Sequence, residues 1–110
     1  MRRASVLCAA ALLACSEAEP EGGDPKVARG RAVYLSVCIA CHNADPNLDG
    51  SLGPANAGAS QELLEAKLLR GSYPPGYVPK RDSQTMPRFE HLAGSLDDLA
   101  AFLAASERKP

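Results

Sequence analysis

The chain has 110 residues, enough for one small domain and too few for two. Its 12 basic and 13 acidic residues leave a net charge of -1, and only Lys26, Arg29 and Arg31 cluster beyond a pair, so there is no electrostatic footprint for nucleic acid. Aromatic residues are 5% of the chain and Trp is absent, so large rings fill little of any core and something else has to.

In chain order, Arg2 and Arg3 precede an apolar run from Ala4 to Ala14, the pattern of a secretory signal. The run is shorter than the roughly 20 residues a helix needs to span a bilayer, so it predicts export and not a permanent membrane span. Leu12-Leu13-Ala14-Cys15 resembles the bacterial lipoprotein signal, which implies removal of residues 1–14 and acylation of Cys15. The alternative is cleavage after Ser16-Glu17-Ala18, which discards Cys15 and releases a soluble periplasmic protein. Residues 15–25 hold four acids, two Gly and two Pro without apolar periodicity, and so predict a flexible tether ahead of a folded domain over 26–110.

Asp24 is suited to cap a helix, and Pro25 to occupy its first position, where a missing N–H costs nothing. Val27, Gly30, Tyr34 and Val37 then share one face, with Gly30 removing side-chain bulk so that another backbone can come close. A second helix is expected from Gln61 to Arg70, with Ser60 as its cap, Gly71 as its stop, and Leu64 and Leu68 turned inward. A third starts at Ser95, where Asp98 three residues on suggests a capping box, and carries Leu96, Leu99, Phe102 and Leu103 on one face to about Ser106. No segment alternates like a strand, so the fold class is all-α, three to four short helices with long loops. Residues 43–59 and 72–94 are rich in Gly, Pro, Asn and Asp, more loop than so small a domain sustains unless it wraps something.

Cys38-Ile39-Ala40-Cys41-His42 closes the first helix. At this composition about 0.003 such strings arise by chance, so the spacing carries information. Two thiols one helical turn apart can each bond a vinyl group of one haem, while the adjacent imidazole binds iron through Nε2. A redox dithiol or half a zinc site are the rival uses of C-x-x-C. No strand precedes the motif as in a thioredoxin-like unit, and no second cysteine pair follows it for zinc.

Over about residues 26–106 the chain resembles the small single-haem c-type cytochromes of bacteria. Beyond the haem motif, Gly30 and Tyr34 stand eight and four residues before Cys38, as in that family's first helix, and Asp98-Leu99-Ala100-Ala101-Phe102-Leu103 is similar to its last. The resemblance implies one covalent haem c, bonded to Cys38 and Cys41, with the N- and C-terminal helices crossing at Gly30 beside Phe102. It implies His42 as one axial ligand of the iron.

For the other axial position the domain retains two donors, Met86 and His91, and an open iron is the third possibility. Met86 lies in Thr85-Met86-Pro87, which resembles the family's Met-Pro ligand motif, and a soft thioether favours ferrous iron. Leu52-Gly53-Pro54 resembles the family's Gly-Pro turn, implying that the Pro54 carbonyl accepts the Nδ1 proton of His42. Asp45-Pro46-Asn47-Leu48-Asp49-Gly50 matches the first half of a calcium loop, but its twelfth position is Asn56 in place of the bidentate Glu, which favours a solvated turn. Tyr73, Tyr77, Lys80 and Arg81 sit in a Pro-rich loop that either covers the haem and pairs with its propionates or is ordinary exposed loop.

These residues predict a one-electron carrier with no substrate turnover, docking briefly with redox partner proteins, monomeric, and held to a periplasmic membrane surface through Cys15. The alternatives are a fixed haem subunit of a larger oxidoreductase, and a small haem peroxidase or ligand sensor in which Met86 is labile.

Overall fold

The computed structural model describes residues 23–108, so the expected signal, the acylated Cys15 and most of the tether lie outside the described residues. Within them the chain forms α1 (Pro25–Val37), α2 (Gln61–Arg70) and α3 (Leu96–Ser106), with 3-10 turns at Cys38–Ala40 and Glu90–Ser95 and no strand. The protein is all-α over this range. No described helix is long and apolar enough to cross a membrane.

The helix ends follow from local chemistry. Asp24 Oδ1 accepts the Lys26 amide at 2.9 Å, with Pro25 opening α1. Ser60 Oγ accepts the Leu63 amide at 3.1 Å at the start of α2. Gly71, with φ +61°, ends α2 in the left-handed conformation, and the Gly71 and Ser72 amides take up the carbonyls of Lys67 and Ala66.

The start of α3 differs from the expected capping box. The turn Glu90–Ser95 runs directly into it, leaving Ser95 at ψ 2° and its side chain without a capping bond. A capping residue needs extended backbone, which the incoming turn does not allow. Asp98 turns instead to Arg29 on α1, accepting from Nε at 3.1 Å and Nη2 at 3.2 Å. The turn itself also interrupts the stretch 72–94, expected to be loop throughout.

Helices α1 and α3 cross at Gly30. A methyl group there would overlap the Asp98 carbonyl and come within 2.8 Å of Phe102 Cβ, so only glycine lets the two backbones meet. Beside the crossing, the Tyr34 and Phe102 rings pack with centroids 5.3 Å apart. Tyr34, Leu99 and Leu103 are fully buried at the centre, and α2 adds Leu68 and Ala66. Ala66 was not among the residues expected inside. Leu64, which was, is only half-buried because it lines the cavity described below.

Residues 43–58 are fastened to the C-terminal end of α3. The Gly58 amide donates to Leu103 O at 2.8 Å, Asn47 Nδ2 to Ser106 O at 2.8 Å, and the Arg108 amide to Asn47 Oδ1 at 3.1 Å. Within the calcium-like stretch, Asp45 accepts the Asn47 amide and pairs with Arg108, while Asp49 accepts the Ala55 amide and pairs with Arg81. These carboxylates serve the turn's own backbone and two arginines.

Candidate cofactor site

One cavity of about 610 Å³ opens between the end of α1, residues 52–60, α2, the loop 72–89 and the buried side of α3. That volume lies within the range of roughly 300–1,000 Å³ usual for small-molecule and cofactor sites. Its walls are mainly apolar. Lys67, Lys80 and Arg81 are the charged side chains that line it, and no described carboxylate does.

Cys38, Cys41 and His42 line the cavity together because α1 tightens to a 3-10 turn as it ends: the Cys41 and His42 amides both donate to Cys38 O, at 3.3 and 2.9 Å. The segment behind them is held by backbone. Leu52 and Gly53 both donate their amides to Cys41 O, at 3.2 and 2.9 Å. A methyl group on Gly53 would run into the His42 ring, reaching Nε2 at 2.7 Å, and one on Gly50 would meet the Asn43 amide at the same distance. Both glycines are needed here for space, since neither has positive φ.

His42 Nδ1 lies 2.9 Å from Pro54 O. A carbonyl can only accept, so the neutral imidazole carries its proton on Nδ1 and keeps the lone pair of Nε2 for a metal. Cys38 and Cys41 carry free thiols, and burial pushes the Cys38 thiol up to about 11.

Met86 lines the same cavity from the loop 72–89, half-buried against the core. His91, the other candidate donor, is exposed, sits edge-on to Phe89 at 6.1 Å between centroids, and does not line the cavity. Pro54 and the four residues of the Pro-rich loop do. Tyr73 and Tyr77 stack at 5.3 Å, Lys80 Nζ donates to Ala55 O at 2.7 Å, and Arg81 pairs with Asp49, so the loop is tied to residues 49–55.

Several contributors escape sequence reasoning. Lys67 lies over the Tyr73 ring, 4.4 Å from its centroid. It follows Leu63 and Leu64 by four and three residues, so helical periodicity put all three on one face and could have found it. Asn56 lies 3.4 Å from the buried Tyr34 hydroxyl, which gave no signal in sequence. Burial, and next the neighbouring Cys38, push the Tyr34 phenol up to about 12, so it stays protonated and donates, its proton going to Asn43 O at 2.5 Å.

Comparison with known protein families, with curated proteins and with solved structures finds no match to this chain. The site's chemistry therefore stands on its own residues. No group of three His, Cys, Asp or Glu side chains placed to hold a bare ion is found among the described residues. Two thiols, an imidazole with a free Nε2 and a thioether around an apolar cavity do fit a metal whose equatorial donors come from a flat macrocycle.

Proposed function

We propose that the protein is a one-electron carrier of the c-type cytochrome kind, its helices and loops folded around one covalent haem. The observation that carries this reading is that Cys38, Cys41, His42 and Met86, brought from two separate segments, line a single apolar cavity while Pro54 O holds the His42 proton on Nδ1. Cys38 and Cys41 are the residues that would bond the macrocycle, and His42 Nε2 and Met86 Sδ those that would ligate its iron. When bound, the haem supplies a metal that cycles between ferrous and ferric states without binding substrate.

The chain's own residues would tune that chemistry. The apolar walls exclude water and disfavour the extra ferric charge, and the thioether of Met86 favours the ferrous side, so both raise the reduction potential. Lys67, Lys80 and Arg81 line the cavity and would supply positive charge to pair with a porphyrin's carboxylates. Leu52, 59% exposed at the cavity lining, and Ile39, 44% exposed within the motif, give an apolar contact for brief docking with a redox partner. Acylation of Cys15 would confine that docking to a periplasmic membrane surface.

The test is the intact mass of the mature protein made in a host able to attach haem, together with oxidised and reduced optical spectra and the pyridine derivative. The reading expects one porphyrin increment, two thioether links and the weak charge-transfer band of an iron–thioether bond. A mature mass without the increment ends it.

A further inference from the structure

Main-chain carbonyls on both sides of His42 are held. On the N-terminal side, Cys41 O accepts two backbone amides, from Leu52 and Gly53. On the C-terminal side, Asn43 O is held by a single side-chain group, the hydroxyl of Tyr34. The side-chain oxygen of Asn56, in the segment that presents Pro54 O, lies 3.4 Å from that hydroxyl. Tyr34 itself cannot drift. It is fully buried, packed on Phe102 at the α1–α3 crossing, four residues before Cys38.

We propose that the Tyr34 hydroxyl is a positioning residue for His42: by holding Asn43 O it fixes the backbone that aims the imidazole at Pro54 O, and so couples the ring's direction to the helix crossing. The imidazole is only half-buried and lies against Gly53, whose missing side chain leaves room for the ring. Its direction is therefore set by the Nδ1 bond and by the backbone on either side. The Cys41 side is fixed by main chain; on the Asn43 side the side chain bonds Asp49 O and the Asp45 amide, while the Asn43 carbonyl itself is held by one removable oxygen, the Tyr34 hydroxyl. The redox consequence rests on the proposed electron-transfer function. A firm Nδ1–H···O bond makes the imidazole a stronger donor to iron, so loosening it raises the reduction potential.

The test is Tyr34→Phe in the full-length, haem-loaded protein, which keeps the ring against Phe102 and removes only the hydroxyl. The expected result has two parts. The His42 Nδ1 proton exchanges with water about tenfold faster while the amides of Leu99 and Leu103 slow or quicken together and by less. The midpoint potential rises, by about 59 mV if the ferric–ferrous constant changes tenfold. An unchanged Nδ1 proton, or one that quickens only as much as the core amides, overturns the proposal, since a purely structural hydroxyl would act on all of them alike.

A second measurement needs no variant. In the wild-type protein under mild denaturant, the Nδ1 proton should open with the same denaturant slope as the Leu99 and Leu103 amides. A shallower slope would mean that the ring is released by loop opening alone, and would overturn the coupling even if Tyr34→Phe does not fold. A protein lacking the porphyrin mass defeats the electron-transfer reading, while the two exchange comparisons still decide whether Tyr34 holds His42.

Discussion

Gly30→Ala is the substitution for which the structure fixes both sign and size. Alanine in a helix interior is favoured over glycine by about 1 kcal/mol, so on α1 alone the change should stabilise. At this position, however, the new methyl would overlap the Asp98 carbonyl and approach Phe102 Cβ to 2.8 Å. The obstacle is backbone, which cannot swing aside as a side-chain tip can, so α1 and α3 must separate and loosen the Tyr34–Phe102 contact. Overpacking of this kind costs about 1–3 kcal/mol or more, and a backbone clash belongs at the upper end. The net effect is a loss of about 2 kcal/mol, or about 8–16 °C in Tm for a domain of this size. Thermal denaturation followed by far-UV circular dichroism measures it, with Ala28→Gly on the exposed side of the same helix as the control. That control loses about 1 kcal/mol from helix propensity alone. If Gly30→Ala melts at or above the wild-type temperature, the close crossing is wrong.

Three other outcomes can be measured on the same protein. Ser60→Ala should lower stability by about 1 kcal/mol because its hydroxyl caps α2, whereas Ser95→Ala should leave the melting curve within experimental scatter because its side chain caps nothing. Asp45 is held below its ordinary value of 3.8, first by the Asn47 amide and then by the Asn47 side chain, and Asp49 likewise by the Ala55 amide. A depressed carboxylate stabilises the fold above its unfolded value and stops doing so as pH falls through its folded one. The protection of the Asn47 and Ala55 amides, measured against their intrinsic exchange rates, should therefore fall below about pH 4, and at Asn47 Asp45→Asn should remove most of the acid dependence. Cys38→Ser combined with Cys41→Ser should leave the domain largely unfolded; a cooperative helical melt of that variant would contradict a haem-dependent core.

The helices were legible because their signals are local. Asp24-Pro25 and Ser60 with Gly71 state their ends in adjacent residues, and the apolar spacing of Leu96, Leu99, Phe102 and Leu103 states a buried face. The start of α3 was misread because Ser95 and Asp98 have the right spacing for a cap, but tertiary context overrode it: an incoming turn denied Ser95 its backbone conformation, and Arg29, 69 residues away in sequence, took the carboxylate. Gly53 shows the same limit. Its sequence neighbours suggest a turn, whereas its role is to make room for a ring eleven residues earlier. The hold of Tyr34 on Asn43 joins a helix face to a loop carbonyl, and no periodicity encodes such a bond.

The long loops and the cavity are two aspects of one problem. Residues 43–59 and 72–89 contribute few fully buried side chains, and the core proper is a narrow seam around Tyr34, Leu99 and Leu103. The apolar groups that a compact domain would bury against one another, Leu63, Leu64, Met86 and Phe89 among them, face a shared 610 Å³. An occupant of that volume would take those apolar side chains out of water, a gain of roughly 1.5–3 kcal/mol for each one fully buried. A large, flat, apolar occupant fixed in place by two sulfurs would therefore be part of the core and not an addition to a finished one. On that view the scarcity of aromatic side chains and the excess of loop have a single cause: this sequence encodes the wall of a core whose centre is not protein.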